Sequence, residues 1–486
     1  MGGLVSYGAY VPYYRLERTR IAGVLGQGGG SGTRSVAAFD EDTTSMAVAA
    51  GRAALAGMTG PGAPPGRGCV RQLFFATTVP AYADKTNATA VHAALRLPAD
   101  ALAVDMAGAV RSGVGALVTA AASAVPAMAV LADIRTGLPG SADERDGGDG
   151  AAAFVFGGSG SGLPVLAEVI GQGCATAEFL DRWRAPGAAA SRVWEERFGE
   201  LVYGPLAEAA MADALKQAGL VPGQVDHLIV AGLPARAVSR TIRAAGVPAE
   251  AVAGHHALPL SGRIGNAGTA QPGILLADVL DRAGPGETVL LVVLADGAFA
   301  LALRTTEALA RHRQAQPVAA QIAAGSTALD YATFLSWHGF LDREPPRRPD
   351  PDPVAAPPSL RRTSWKFALV AAKCTRCGTR SLPPDRVCQQ CHAVDEMAPE
   401  PLADVPATVT TYTVDRLAYT PSPPMLMVVL DFDGGGRMRC QLTDAAEDEV
   451  RAGLRAEMTF RRLVTAAGVH NYFWKARPVR SAGKGE

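Results

Sequence analysis

The sequence predicts an α/β protein over its N-terminal part and a smaller all-β part behind it, and three observations carry that expectation. Residues 1–305 alternate short apolar runs with Ala-rich stretches of helical length, the pattern of strands and helices packed in layers. The segment Glu344-Pro345-Pro346-Arg347-Arg348-Pro349-Asp350-Pro351-Asp352-Pro353, followed by Pro357-Pro358, lacks the N–H groups that a helix or inner strand needs, so it reads as an extended linker. Beyond it, two Cys-x-x-Cys pairs precede runs that alternate apolar and polar residues.

Strands are expected at residues 3–9, 72–77, 102–106, 151–157, 163–170, 227–231 and 288–294, and helices at 43–56, 88–95, 112–124, 206–218 and 269–280. Asp40-Glu41-Asp42-Thr43-Thr44 supplies a cap and an acidic first turn to the first of these helices, where free N–H groups and the helix dipole favour oxygen and negative charge. The order strand–helix–strand–helix–strand occurs before residue 165 and again after it, which predicts two similar halves. Residues 307–343 read as helical, with Tyr331, Phe334, Leu335 and Trp337 as apolar content near the end. In the C-terminal part, strands at 407–413, 425–432, 437–442 and 458–463, with Gly434-Gly435-Gly436 turning between the second and third, have the spacing of a small OB-type barrel.

Cys374 and Cys377, with Cys388 and Cys391, present four thiolates from two tight turns separated by ten residues, a ligand set for tetrahedral zinc. Four protein ligands leave no open position, so the site reads as structural. Cys69, Cys174 and Cys440 read as small core residues. With 46 basic and 46 acidic residues the chain has no basic excess for nucleic acid or anionic lipid. Apolar runs such as 289–294 are strand-length, and nothing reads as a signal peptide, so a cytoplasmic protein without membrane or nucleic-acid partner is expected.

Three segments carry a resemblance: Phe179-Leu180-Asp181-Arg182-Trp183-Arg184-Ala185-Pro186-Gly187, Arg263-Ile264-Gly265-Asn266-Ala267-Gly268-Thr269, and Ala76-Thr77-Thr78 with Asp84-Lys85-Thr86-Asn87-Ala88. They resemble, in order, the Phe-Trp-Arg-Pro region, the Gly-Asn loop and the first active-site strand and loop of the thiolase superfamily, closest to its HMG-CoA synthase branch. The Cys-x-x-Cys-Gly start at 374–378, Pro383-Pro384 and the second Cys pair resemble acyl-CoA-associated OB-fold proteins with a rubredoxin-like zinc ribbon. The resemblance implies a five-layer αβαβα thiolase-like fold with a C-terminal ribbon and OB barrel. It divides the chain into halves at 1–165 and 166–306, a helical segment and linker at 307–363, the ribbon at 364–400 and the OB domain at 401–486. It also implies a coenzyme A thioester or acyl-carrier substrate, a homodimer paired through strand 102–106, and a thiolase or acyl-CoA-pathway partner.

The same resemblance locates the catalytic positions. The synthases' Cys nucleophile falls on Val110, the general-base Glu near Thr78 and the acid/base His near Gly232, while Asn266 alone matches. Valine forms no thioester, so an acyl-enzyme is not expected. A helix starting near Arg111, with a backbone N–H from the Asp296-Gly297 turn, would still stabilise a thioester enolate. That suffices for aldol or retro-aldol chemistry, given a base for a hydroxyl proton and an acid for the enolate carbon.

Candidates for those roles are Tyr82, Asp84, His92, His255 and His256, with Asn266 at the thioester oxygen and Lys85, Arg111, Ser112 and Gly297 binding substrate. The plainer readings are that Tyr82 and Asp84 order a loop, His92 packs on its helix, Lys85 is a solvated charge and Ser112 caps a helix. Two other functions fit: an acyltransferase or condensing enzyme with a displaced nucleophile such as Cys174, and a non-catalytic acyl-CoA-binding or scaffold protein. The OB barrel is expected to cover the mouth of the acyl-CoA site.

Overall fold

The computed structural model describes residues 2–58, 66–158, 160–252, 260–347 and 351–480. Its N-terminal part holds two sheets with one strand order. In the first half the order is Leu102–Ala107, Gln72–Thr77, Ala127–Ile134, Asp149–Phe156, Leu4–Tyr10. The second half runs Ala167–Thr176, Gly297–Thr305, Thr288–Leu294, His227–Gly232, and the isolated parallel bridge of Leu228 to Val252 marks the place of a fifth strand. One pairing, Leu4 with Ala167, joins the two sheets.

The layers follow from side-chain alternation. Along Thr288–Leu294 every residue is buried, and Val289, Leu291 and Val293 join one core while Leu290, Val292 and Leu294 join another. An apolar run buried on both faces needs cover on both. Helices Ser112–Ala122 and Gln271–Leu280 fill the central layer, helices Thr43–Ala56 and Ala88–Leu95 cover the first sheet, and helices Glu196–Ala218 and Ala235–Ala244 cover the second. The fold is therefore the five-layer αβαβα arrangement. No helix among the described residues is long and apolar enough to cross a membrane.

Several elements differ from the sequence expectation. Strands Ala127–Ile134 and Gly297–Thr305 were not anticipated, because Ala-rich composition and neighbouring glycines hide a buried strand. Residues 307–343 form three short helices, Glu307–Arg311, Val318–Ala323 and Tyr331–Trp337. Pro357 and Pro358 sit in the first turn of a short helix, Ala356–Arg361, where the missing N–H costs nothing.

The C-terminal barrel closes in the order Ala407–Asp415, Met425–Phe432, Arg437–Leu442, Val469–Pro478, Arg455–Ala466. Leu426, Val428, Leu430 and Phe432 face inward at every second position. The barrel docks on the body through buried charge. Asp42 caps helix Thr43–Ala56 as expected, accepting from the Ser45 amide, but Asp40 and Glu41 serve the interface instead. Arg461 meets Asp40 at 3.4 Å and Glu41 at 2.7 Å, Lys475 reaches Asp40 at 2.7 Å, and the Tyr472 hydroxyl donates to Asp42 at 2.7 Å.

Candidate active site

Strand ends and one helix start converge on a cavity of about 120 Å³ lined by Thr78, Val110, Arg135, Asp181, Arg184 and Tyr203 among others. Thr78 follows the strand Gln72–Thr77, and Val110 stands just before helix Ser112–Ala122. Leu233 follows the strand His227–Gly232. The three positions that the resemblance assigned to base, nucleophile and His thus come together at this cavity or at its edge, carrying Thr78, Val110 and Gly232. A Cβ on Gly232 would lie 2.9 Å from that of Leu294, so the packing there suits glycine.

Two acid/base-capable groups border the cavity. The Thr78 hydroxyl donates to Asp133 at 2.7 Å, and the Thr269 amide donates to the other carboxylate oxygen at 3.0 Å. Burial pushes the Asp133 carboxyl up, against the pull of Arg135 and these donors. The second group is Asp181 with Tyr203. The Tyr203 hydroxyl accepts the Asp296 amide at 3.2 Å and hydrogen-bonds Asp181, and burial raises both side chains' pKa values. Burial likewise raises the carboxyl of Asp296.

Arg111 donates to the carbonyls of Ala295 and Asp296 at 2.9 and 2.8 Å and to the Thr176 hydroxyl at 2.8 Å, with Cys174 Sγ at 3.1 Å. It therefore clamps the Ala295-Asp296 turn to the start of the helix, where substrate contact was expected. The Asp296 amide, a candidate oxyanion donor, is committed to Tyr203. Gly297, at φ +119°, lies where a Cβ would be 2.3 Å from the Ala175 carbonyl oxygen, so its role is close backbone approach. Asn266 also holds loops together: its Nδ2 donates to Gly232 O at 2.8 Å and its Oδ1 accepts the Gly268 amide at 3.0 Å. Gly265 before it has φ +77°, and a Cβ there would meet Gly147 O.

The other expected site residues lie apart from the cavity lining. The Tyr82 hydroxyl accepts the His470 amide at 2.8 Å, and the two rings pack at 5.0 Å, so Tyr82 joins the loop after Thr78 to the barrel. Asp84 and Lys85 are exposed, and Lys85 is bonded to Thr86 O and Thr89. His92 is bonded to Pro98 O at 2.9 Å. Ser112 is the first helical residue; Arg111 occupies the cap position and no side chain caps the helix. Cys174 is exposed beside Arg111 and outside the lining. His255 and His256 lie outside the described residues.

Sequence reasoning missed Asp133, Arg135, Asp181, Arg184 and Tyr203 as site residues. The available signal was Asp133-Ile134-Arg135, charge closing an otherwise apolar run, and the charged residues within the Phe179–Gly187 motif itself. A larger cavity of about 420 Å³ lies between body and barrel, but there Arg52 pairs with Asp404 and Arg477 with Glu457. The smaller cavity gathers the strand ends and the helix start that carry Thr78 and Val110, so it is the better candidate for chemistry.

In the ribbon, the four Sγ atoms of Cys374, Cys377, Cys388 and Cys391 lie within 4.8 Å of one another, with Cys374 to Cys391 and Cys377 to Cys388 both at 3.5 Å. Tetrahedral zinc with about 2.3 Å bonds needs sulfurs about 3.8 Å apart, so the cluster fits that ion.

Residues 400–461 match the family described as the C-terminal OB-fold domain of ChsH2. The hydroxymethylglutaryl-CoA synthase of Pyrococcus horikoshii is 29% identical over 342 residues, spanning 68% of this chain and 94% of its own. The solved structure of MvaS in complex with 3-hydroxy-3-methylglutaryl coenzyme A matches at TM-score 0.56 and 21% identity, covering 72% of this chain and 94% of that one. A crystal structure of HMG-CoA synthase complexed with CoA matches at TM-score 0.56 and 16% identity, covering 69% and 89%.

Proposed function

From a thiolase-like homologue of HMG-CoA synthases that carries a ChsH2-type OB-fold domain, we propose an enzyme that makes or breaks a carbon–carbon bond in an acyl-CoA thioester without an acyl-enzyme intermediate. One observation supports this above the rest: Val110 stands at the start of the central helix, on a cavity that also holds Asp181 with Tyr203 and Thr78 backed by Asp133. Acid/base groups are present, and among the described residues the lining holds no thiol.

The balanced step is a retro-aldol cleavage. A base takes the hydroxyl proton of a 3-hydroxyacyl thioester, the C2–C3 bond breaks, and C3 leaves as a carbonyl. The bond's electrons pass into a thioester enolate, whose carbon then takes a proton; the reverse sequence makes the bond. Asp181 is the base in this reading, with Tyr203 carrying the proton, because a carboxyl raised by burial accepts a proton more readily than an exposed one. The amides of Ser112 and Gly113 donate to Ala109 O and Val110 O at 3.0 and 3.1 Å, so the enolate oxygen would rely on the positive end of helix Ser112–Ala122. Asn266 and Arg111 position these loops.

Zinc belongs to the ribbon as a structural ion. A homodimer would form through the open edge of Leu102–Ala107, whose Leu102 is half exposed. The test is product analysis: 3-hydroxyacyl-CoA is incubated with the protein, and the mixture is assayed for a shorter acyl-CoA with an equimolar aldehyde or ketone. No carbonyl product in either direction, across a panel of chain lengths, would favour the scaffold reading.

A further inference from the structure

Where the barrel meets the body, two cations, Arg461 and Lys475, face three carboxylates, Asp40, Glu41 and Asp444, and no side chain of the five is more than 3% exposed. The charges around them are spent in pairs of their own. Arg462 stands 4.0 Å from Asp42, whose other donor is the Tyr472 hydroxyl. Arg477 and Arg480 attract Asp444, each from a pair with its own glutamate, Glu457 at 2.7 Å and Glu449 at 2.9 Å. Arg15 attracts Glu41, but its guanidinium donates to the carbonyls of Pro12, Tyr14 and Gln321 and makes no ion pair among the described residues. Three carboxylates on two cations leave one negative charge in a desolvated site, which is costly unless a proton neutralises it.

Geometry decides where that proton goes. Against its burial, Asp40 is held below the usual carboxylate range by Lys475, Arg461 and the Thr443 hydroxyl. Glu41 and Asp444 divide what remains of Arg461, at 2.7 and 2.5 Å. Asp444 Oδ1 is sealed from water and has no hydrogen-bond partner among the described residues, so the cluster is short of donors as well as of positive charge. Burial pushes the Glu41 carboxyl up to about 7, against the pull of Arg461, and the charges of Asp444 and Asp40 add to the rise.

We propose that a proton on Glu41 closes the seam between body and barrel, which therefore grips most tightly in mild acid and loosens as pH rises to neutral. In an opened seam Glu41 would titrate as an ordinary glutamate, at about 4.3. Between that value and about 7 the closed form alone holds the proton, and each pH unit gained there disfavours it by about tenfold. Opening would also free the loop after Thr78, which the barrel holds through the His470 amide and the Tyr82 hydroxyl. His470 itself titrates with the opposite sign, since burial and Arg462 lower its pKa, so the seam is best read away from that hairpin end.

The test is hydrogen exchange of the full chain by mass spectrometry at about pH 5.5 and about pH 7.5, corrected for the intrinsic rate. It is read at the Arg462 amide, which donates across the seam to Asp40 O at 2.9 Å. The expected result is at least tenfold loss of protection at the higher pH, shrinking below about threefold in E41Q and in D444N. E41Q removes the titrating group. D444N sets an amide where no donor reaches Oδ1 and leaves Arg461 to Glu41, so it keeps the test open if E41Q fails to fold. Equal protection of the native chain at both pH values, or an undiminished loss in either folded variant, overturns the proposal. So does a matching loss in the body strand Thr288–Leu294, which would make the opening global.

Discussion

Arg461 of the barrel places its Nη1 2.7 Å from Oε1 of Glu41 in the body, with both side chains withdrawn from water. The same guanidinium reaches Asp40 and, through Nη2, Asp444, so one cation holds carboxylates from both parts of the chain. Replacing it with Met keeps most of the volume and leaves buried carboxylates without their counter-ion. R461M is expected to lose about 3–5 kcal/mol, read from the urea midpoint, because breaking a buried pair exposes the desolvation cost of the remaining charge. A loss below about 1 kcal/mol would mean that Lys475 alone suffices.

Tyr82 tests whether the loop after Thr78 depends on the barrel for its place or for its chemistry. Y82F removes the hydroxyl that accepts the His470 amide but keeps the ring against His470. The expected outcome is a stability loss of about 1 kcal/mol with turnover changed less than threefold. A hundredfold loss of turnover in a stably folded Y82F would return Tyr82 to the list of catalytic groups.

The carboxyl of Asp181 gives a pH dependence whose sign follows from its burial. Burial disfavours the charged form and raises the pKa, so the group takes up its proton at higher pH than an ordinary aspartate near 3.9. A base must be ionised, so the turnover rate should fall as pH drops through that raised value, on a limb displaced upward from the usual carboxylate range. D181N is expected to lower turnover by on the order of 100-fold and to lose the limb, as measured by pH–rate profiles of both proteins.

Zinc removal should act on the ribbon and leave the body's cavity chemistry in place. The ribbon strands Val370–Cys374 and Met397–Pro401 pair up to Cys374, one of the four cysteines, and a structural ion contributes folding energy directly. After confirmed metal removal, the melting transition of the C-terminal part should shift down while the body's transition holds. Identical melting curves before and after removal would deny the ion a structural role.

Much of the fold was legible because the cues were local and periodic. Helices Thr43–Ala56 and Ala88–Leu95 and strands Gln72–Thr77 and Thr288–Leu294 fall at the expected bounds, and the four cysteines come together as their spacing required. The strand Gly297–Thr305 was hidden because Ala-Phe-Ala-Leu-Ala reads as well for a helix, and only pairing with Thr288–Leu294 and Ala167–Thr176 decides it. The candidate site was half legible. The positions of Thr78, Val110 and Gly232 could be placed by resemblance, but whether Tyr82 turns toward the cavity or toward His470 depends on a barrel almost four hundred residues later in the chain. Asp133 and Arg135 gave only the weak signal of charge closing an apolar run, since the role of a buried charge is set by its surroundings more than by its neighbours in sequence.

The central claim, chemistry without a covalent acyl intermediate, is tested most directly by intact-protein mass after incubation with acyl-CoA thioesters, with V110C in parallel. The expected result is an unmodified native mass alongside product formation, and an acyl adduct in V110C, whose thiol would stand at the start of a helix where the thiolate is favoured. An acyl adduct on the native chain, mapped to Cys174 or any other residue, would contradict the account.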